Sequence, residues 1–174
     1  IKNSALSSRE RCCYKNTYGR MSNKIHKQKS IRFKCQGSGN CCVSRGSFGF
    51  VYLSNKDLKK LSIYFNINEK NFKKKYCSIS NGFLHLKELK KNKGNCLFLL
   101  NNKCTVYKSR PTQCRTWPFW NENMNAKTWN NIISKNCPGI NKGPIIETKK
   151  IIKILEKDKK NDEVILSENV NLLK

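Results

Sequence analysis

Ten cysteines constrain this chain of 174 residues more than any other feature. They are Cys12, Cys13, Cys35, Cys41, Cys42, Cys77, Cys96, Cys104, Cys114 and Cys137, and eight of them lie between Cys35 and Cys137. A small chain with a thin apolar core needs staples, and metal ions or disulfides are the usual ones. The first twenty residues lack the apolar stretch of a secretory signal, so a cytoplasmic, reducing setting is expected. There, clustered thiols read as metal ligands or redox groups rather than disulfides. Thiolate is a soft donor that selects zinc, copper(I) or iron–sulfur centres over magnesium or calcium. With no run of eighteen apolar residues, no membrane-spanning helix is expected.

The length suits one domain with tails. Residues 1–21 read as a non-native or disordered extension, with Met21 as the natural start. Residues 22–143 read as a cysteine-cluster domain, and 144–174 as an amphipathic C-terminal helix and tail. The fold class expected is α+β: a small single domain with short helices and a β-hairpin arranged around a cysteine metal cluster.

Local signals place the elements. Gly49–Leu53 and Phe83–Leu86 read as strands. Ser54 and Asp57 match a capping box, so a helix follows with Leu58, Leu61 and Phe65 inward. A second helix is expected from Asn68, carrying Phe72 and Tyr76. Cys96–Leu100 and Cys104–Tyr107 read as a hairpin joined by Asn101–Lys103, since asparagine tolerates positive φ. Ser109–Gln113 reads as a cap and first helical turn around Pro111. Lys142-Gly143-Pro144 reads as a breaker, after which Ile145, Ile151, Ile152 and Leu155 recur at helical spacing.

The cysteine spacing fits no common template, because C-x-x-C is absent. Gly37-Ser38-Gly39 supplies a flexible loop between Cys35 and Cys41. In extended backbone, adjacent Cys41 and Cys42 would point to opposite faces. A three-residue hairpin loop would set Leu100 opposite Cys104. Cys96 would then stand about 13 Å from it at ~3.3 Å per residue. Either the hairpin bends sharply, or those two thiols do not share an ion. Cys77 reads as a small buried apolar residue, and His26 and His85 as ordinary histidines.

The net charge is +25, from 36 basic and 11 acidic residues. Alone it would suggest a nucleic-acid or membrane partner. Yet 29 of the 36 are lysines, and 23 asparagines and 15 isoleucines accompany them, the signature of A/T-rich codons. Arginine, the side chain that reads bases and phosphates bidentately, is scarce. Binding of nucleic acid is therefore ranked below binding of a metal ion.

Phe33-Lys-Cys-Gln-Gly-Ser-Gly-Asn-Cys-Cys42, Asn95-Cys-Leu-Phe-Leu99, Lys103-Cys-Thr-Val-Tyr107, Ser109-Arg-Pro-Thr-Gln-Cys-Arg-Thr-Trp-Pro118 and Cys137-Pro-Gly139 form an ordered series. In that series the chain resembles the YkgJ-like cysteine-cluster proteins, a family described by an expectation of zinc or iron chelation. The resemblance runs from about Ile31 to Gly139. It implies that Cys35, Cys41, Cys42, Cys96, Cys104, Cys114 and Cys137 form the metal-binding set, holding zinc or iron, the iron alone or in an iron–sulfur cluster. Many members carry a further cysteine inside the first cluster, which Gln36–Asn40 lacks. Beside Cys114, Arg110 and Arg115 would offset thiolate charge, and Trp117, Phe119 and Trp120 would shield the site. Flagellin lysine-N-methylases are similar in carrying a related motif, so a metal- or cluster-dependent enzyme is the alternative.

Overall fold

The structure is a computed structural model that describes residues 31–43, 50–89 and 94–169. The extension read over 1–21, with Cys12, Cys13 and Met21, lies outside the described residues, as does His26.

Local capping sets the first half. Ser54 accepts a hydrogen bond from the Asp57 amide and starts helix α1 (Asn55–Tyr64), which buries Leu58 and Leu61. Asn68 accepts from the Asn71 amide in the same way and starts α2 (Glu69–Tyr76), which buries Phe72. Strands β2 (Cys77–Ser80) and β3 (Phe83–Leu86) then pair as an antiparallel hairpin. Its turn residues Asn81 and Gly82 both take positive φ, as a tight two-residue turn requires. The strand expected at Gly49–Leu53 shrinks to one bridge, Tyr52 to His85, with Gly49 outside the described residues. The Tyr52 amide donates to the Gln113 side chain instead of to a strand neighbour.

These elements enclose one core of Leu53, Leu58, Leu61, Phe72, Cys77, Leu86, Phe98 and Val106. Phe72, Leu58 and Leu61 are fully buried, each worth about 1.5–3 kcal/mol in removed apolar surface.

The second half builds a separate core. Strand β1 (Ile31–Phe33) pairs antiparallel with β8 (Ile140–Ile146). The ladder jumps between Arg32 opposite Ile145 and Phe33 opposite Ile140. Lys142-Gly143-Pro144 therefore does not end an element. It is the bulge of a strand, with Gly143 at φ 71°. Ile145 lies on that strand and is exposed, so the C-terminal helix α5 (Thr148–Asn169) starts later than its first isoleucine suggested. It buries Ile151, Leu155 and Ile165. A helix over 126–136 (α4), with π geometry at Trp129–Ile133, packs nearby. Ile31, Phe119, Trp129, Ile133, Ile140, Ile151 and Leu155 make this core.

Among the described residues all sheet structure is four two-stranded antiparallel ladders. With the helices this is an α+β fold. No helix among those residues is long and apolar enough to cross a membrane.

Candidate metal centre

The sulfurs collect where the two cores meet. Cys96 and Cys104 pack against the first core, and Cys137 packs against the second. Asn40–Cys42 forms a single 3-10 turn after Gly39, whose φ of 71° reverses the chain. That turn overrides the expectation drawn for extended backbone: Cys41 Sγ and Cys42 Sγ lie 4.0 Å apart.

The hairpin corrects a second expectation. Asn101 and Asn102 both take positive φ, so the turn has two residues, joining β6 (Leu99–Leu100) to β7 (Lys103–Cys104). Leu99, not Leu100, faces Cys104. Cys96 leaves that ladder altogether: β5 (Asn95–Cys96) pairs with β4 (Glu88–Leu89). The chain turns at Leu97–Phe98, and Cys96 and Cys104 line the same cavity. Cys104, Cys41 and Cys96 act most strongly on the Cys42 thiol, and all four line one cavity.

Cys114 sits in the short helix α3 (Thr112–Thr116). A cavity of about 380 Å³ is lined by Cys35, Cys41, Cys42, Cys96, Cys104 and Cys114, with Trp117 and Trp120 among its walls. Cys137 stands beside it, its thiolate favoured by the Gly139 amide and Trp117 and disfavoured by the charges of Cys35 and Cys41. Cys77 is buried in the first core, as its reading as an apolar residue requires. His85 is buried too, stacked on Phe50 and hydrogen-bonded with Ser80 and the Leu86 carbonyl.

As the side chains stand, no group of three or more His, Cys, Asp or Glu among the described residues is arranged to hold an ion. The donor set nevertheless suits a soft ion. Sulfurs around tetrahedral zinc stand about 3.8 Å apart, given Zn–S bonds of about 2.3 Å, close to the 4.0 Å seen between Cys41 and Cys42.

The thiols divide by ionisation. The hydrogen bond from Cys42 lowers Cys104 to about 6, helped by the Val106 amide and the Arg110 charge. The same neighbour lowers Cys41 to about 7, with Arg110 assisting. Cys96 is lowered by Cys42 and by the Phe98 amide. Cys42, whose thiol is shared among these three, is driven up. Burial raises Cys114, and the charges of Cys96, Cys41 and Cys104 add to it. Burial raises Cys137 and lifts Cys77 to about 11.

The two arginines expected beside Cys114 part company. Arg110 lies over the Tyr107 ring at 3.6 Å, donates to the Tyr107 carbonyl and faces the sulfurs. Arg115 turns away, toward Thr112 and the buried Asp57 carboxylate at 3.9 Å. Trp117 and Trp120 meet edge to face at 4.7 Å on the cavity wall, whereas Phe119 belongs to the second core. Sequence reasoning missed Gln113, Lys103 and Tyr107 as cavity residues. Gln113 carried a signal in retrospect, because a glutamine one residue before a site cysteine on so short a helix needs buried partners.

Residues 34–138 match the CxxCxxCC family model, described as a "putative zinc- or iron-chelating domain". An uncharacterized protein of Methanocaldococcus jannaschii is 32% identical over 115 residues, which cover 60% of this chain and 59% of that relative. The chain thus spans about three fifths of that relative's length. No solved structure matches it.

Proposed function

The chain belongs to the CxxCxxCC family, and from that premise we propose that it binds zinc or iron through Cys35, Cys41, Cys42, Cys96, Cys104, Cys114 and Cys137. One observation carries this reading. Cys35, Cys41, Cys42, Cys96, Cys104 and Cys114 come from the 34–43 loop, two separate ladders and α3, yet all line one cavity. Chance packing of small apolar residues does not require thiols from remote segments to line one cavity. A shared ion gives that convergence a purpose, because it ties the loop 34–43 to the strands and to α3. Cys42, Cys96, Cys104, Cys114 and Cys137 are half-buried donors, and Cys35 and Cys41 are exposed ones.

Arg110 offsets part of the negative charge that several thiolates accumulate. The tryptophan walls shield one side of the cavity from water, which strengthens the thiolate–cation interactions on that side. The ion would supply cross-linking of chain segments, with iron adding the capacity to take or give an electron.

Anaerobic purification followed by elemental analysis and an absorption spectrum tests the reading. Stoichiometric zinc in a colourless protein, or iron with thiolate charge-transfer bands, is the expected result; iron with acid-labile sulfide would identify a cluster. Folded protein that carries neither metal would overturn it.

The pH dependence has a defined sign. Near pH 8, Cys104 and Cys41 are already ionised and release no proton on binding, whereas Cys42 and Cys114 must each give one up. Apparent affinity should therefore already fall with acidification near pH 8, by about one decade per pH unit for each thiol still protonated there. It should fall more steeply as pH drops through about 7 and then about 6, where Cys41 and Cys104 also bind protons. Competition titrations from pH 8.5 to 5.5 would check this, and a slope that stays constant across that range would contradict it.

A further inference from the structure

Helix α3 is only five residues long, too short to hold itself. Nearly every residue of it except Cys114 is tied down by a side chain. Asp57, on α1 and 1% exposed, receives the Thr112 amide at 2.9 Å and the Thr112 hydroxyl at 3.0 Å. Asp158, on α5 and 2% exposed, receives the Thr116 hydroxyl at 2.6 Å. Gln113 is held at both ends of its amide, accepting from the Tyr52 amide and donating to the Phe50 carbonyl. The Trp120 indole closes the set by donating to the Gln113 carbonyl and to the Thr116 hydroxyl.

Burying two carboxylates is expensive unless each is hydrogen-bonded, and a fold rarely does so without need. Here both converge on one helical turn, from elements 101 residues apart in the chain. We propose that Asp57 and Asp158 are positioning residues for the sulfur centre, gripping α3 from its two ends and so holding Cys114 at the cavity. The purpose assigned to that grip rests on the metal reading above, but the grip itself does not. Arg115 fits the same picture. Asp57 draws it off the thiols and leaves Arg110 alone to face them.

Site-resolved alkylation tests the proposal. Purified protein is treated with iodoacetamide, and the labelling rate of each cysteine is read by mass spectrometry, with buried Cys77 as an internal control for fold-wide opening. Asp158→Ala and Thr116→Val should each raise Cys114 labelling at least tenfold while Cys77 stays at its wild-type rate. Asp158→Asn keeps an acceptor oxygen for Thr116 and should restore slow labelling. Asp57→Ala should behave like Asp158→Ala. Unchanged Cys114 labelling in both alanine variants, or Cys77 rising in step with Cys114, would overturn the proposal. Metal analysis of the wild type reads the other question separately: an empty wild type defeats metal binding while the labelling pattern still decides the grip.

Discussion

Cys42→Ser should lower zinc affinity about a hundredfold, while Cys77→Ser leaves it unchanged. Structural zinc contributes about 10–16 kcal/mol shared by four ligands. One thiolate is then worth about 3 kcal/mol, or roughly two decades of affinity. Cys42 is the strongest candidate for the full effect, because it lies 4.0 Å from Cys41 and lines the cavity with Cys96 and Cys104. Serine keeps the shape nearly intact but offers an oxygen that holds its proton and binds soft ions poorly. Cys77 supplies the contrast. It lies in the first core, so its replacement buries a hydroxyl and costs about 1–3 kcal/mol of stability. Competition against a chromophoric chelator measures the first effect and thermal unfolding the second. Equal zinc affinity in the two variants would remove Cys42 from the centre.

The second large effect belongs to a residue with no side chain. Gly39→Ala should destabilise the protein by about 2–5 kcal/mol, combining left-handed strain with overpacking. A Cβ there would lie 2.3 Å from the Asn102 carbonyl oxygen and 2.7 Å from its carbon, at φ +71°. Those are main-chain atoms, so no rotamer change relieves the clash. Either the loop bearing Cys41 and Cys42 or the turn before Cys104 must move, and metal affinity should fall with stability. Gly37→Ala is the matched control. It has φ +65° but nothing within 4 Å of the added carbon, so strain alone remains, about 1–2 kcal/mol. Chemical denaturation of both variants separates the terms, and similar losses at the two glycines would refute the packing argument.

What could be read from the chain followed the range of the forces involved. Ser54 and Asn68 cap their helices through bonds three residues long, so α1 and α2 were legible from their own sequence. Phe83–Leu86 was likewise legible as a strand, its partner lying one turn away. The hairpin was visible but its register was not. Asn101-Asn102-Lys103 permits a loop of two or three residues, and the choice depends on Gly39 packing against Asn102 from sixty residues upstream. The pairing of Ile31–Phe33 with Ile140–Ile146 had no local signal at all, which is why Gly143-Pro144 looked like a stop rather than a bulge. Of the seven cysteines picked out by family resemblance, six line one cavity and Cys137 adjoins it. Spacing alone left open whether Cys96 and Cys104 line one cavity, because the turn at Leu97–Phe98 is made by two different ladder partners. The direction of Arg115 was equally hidden, since the buried Asp57 that attracts it comes from another helix.

The amides two positions ahead, at Phe98, Val106 and Gly139, each favour the thiolate of Cys96, Cys104 and Cys137 in turn. Because those donors belong to the peptide chain itself, ordinary point mutations at these three positions leave them in place, and only proline would delete one. That share of each thiol's ionisation is inherited from the path of the chain, whereas the share set by Cys42, Arg110 and burial follows the side chains around it.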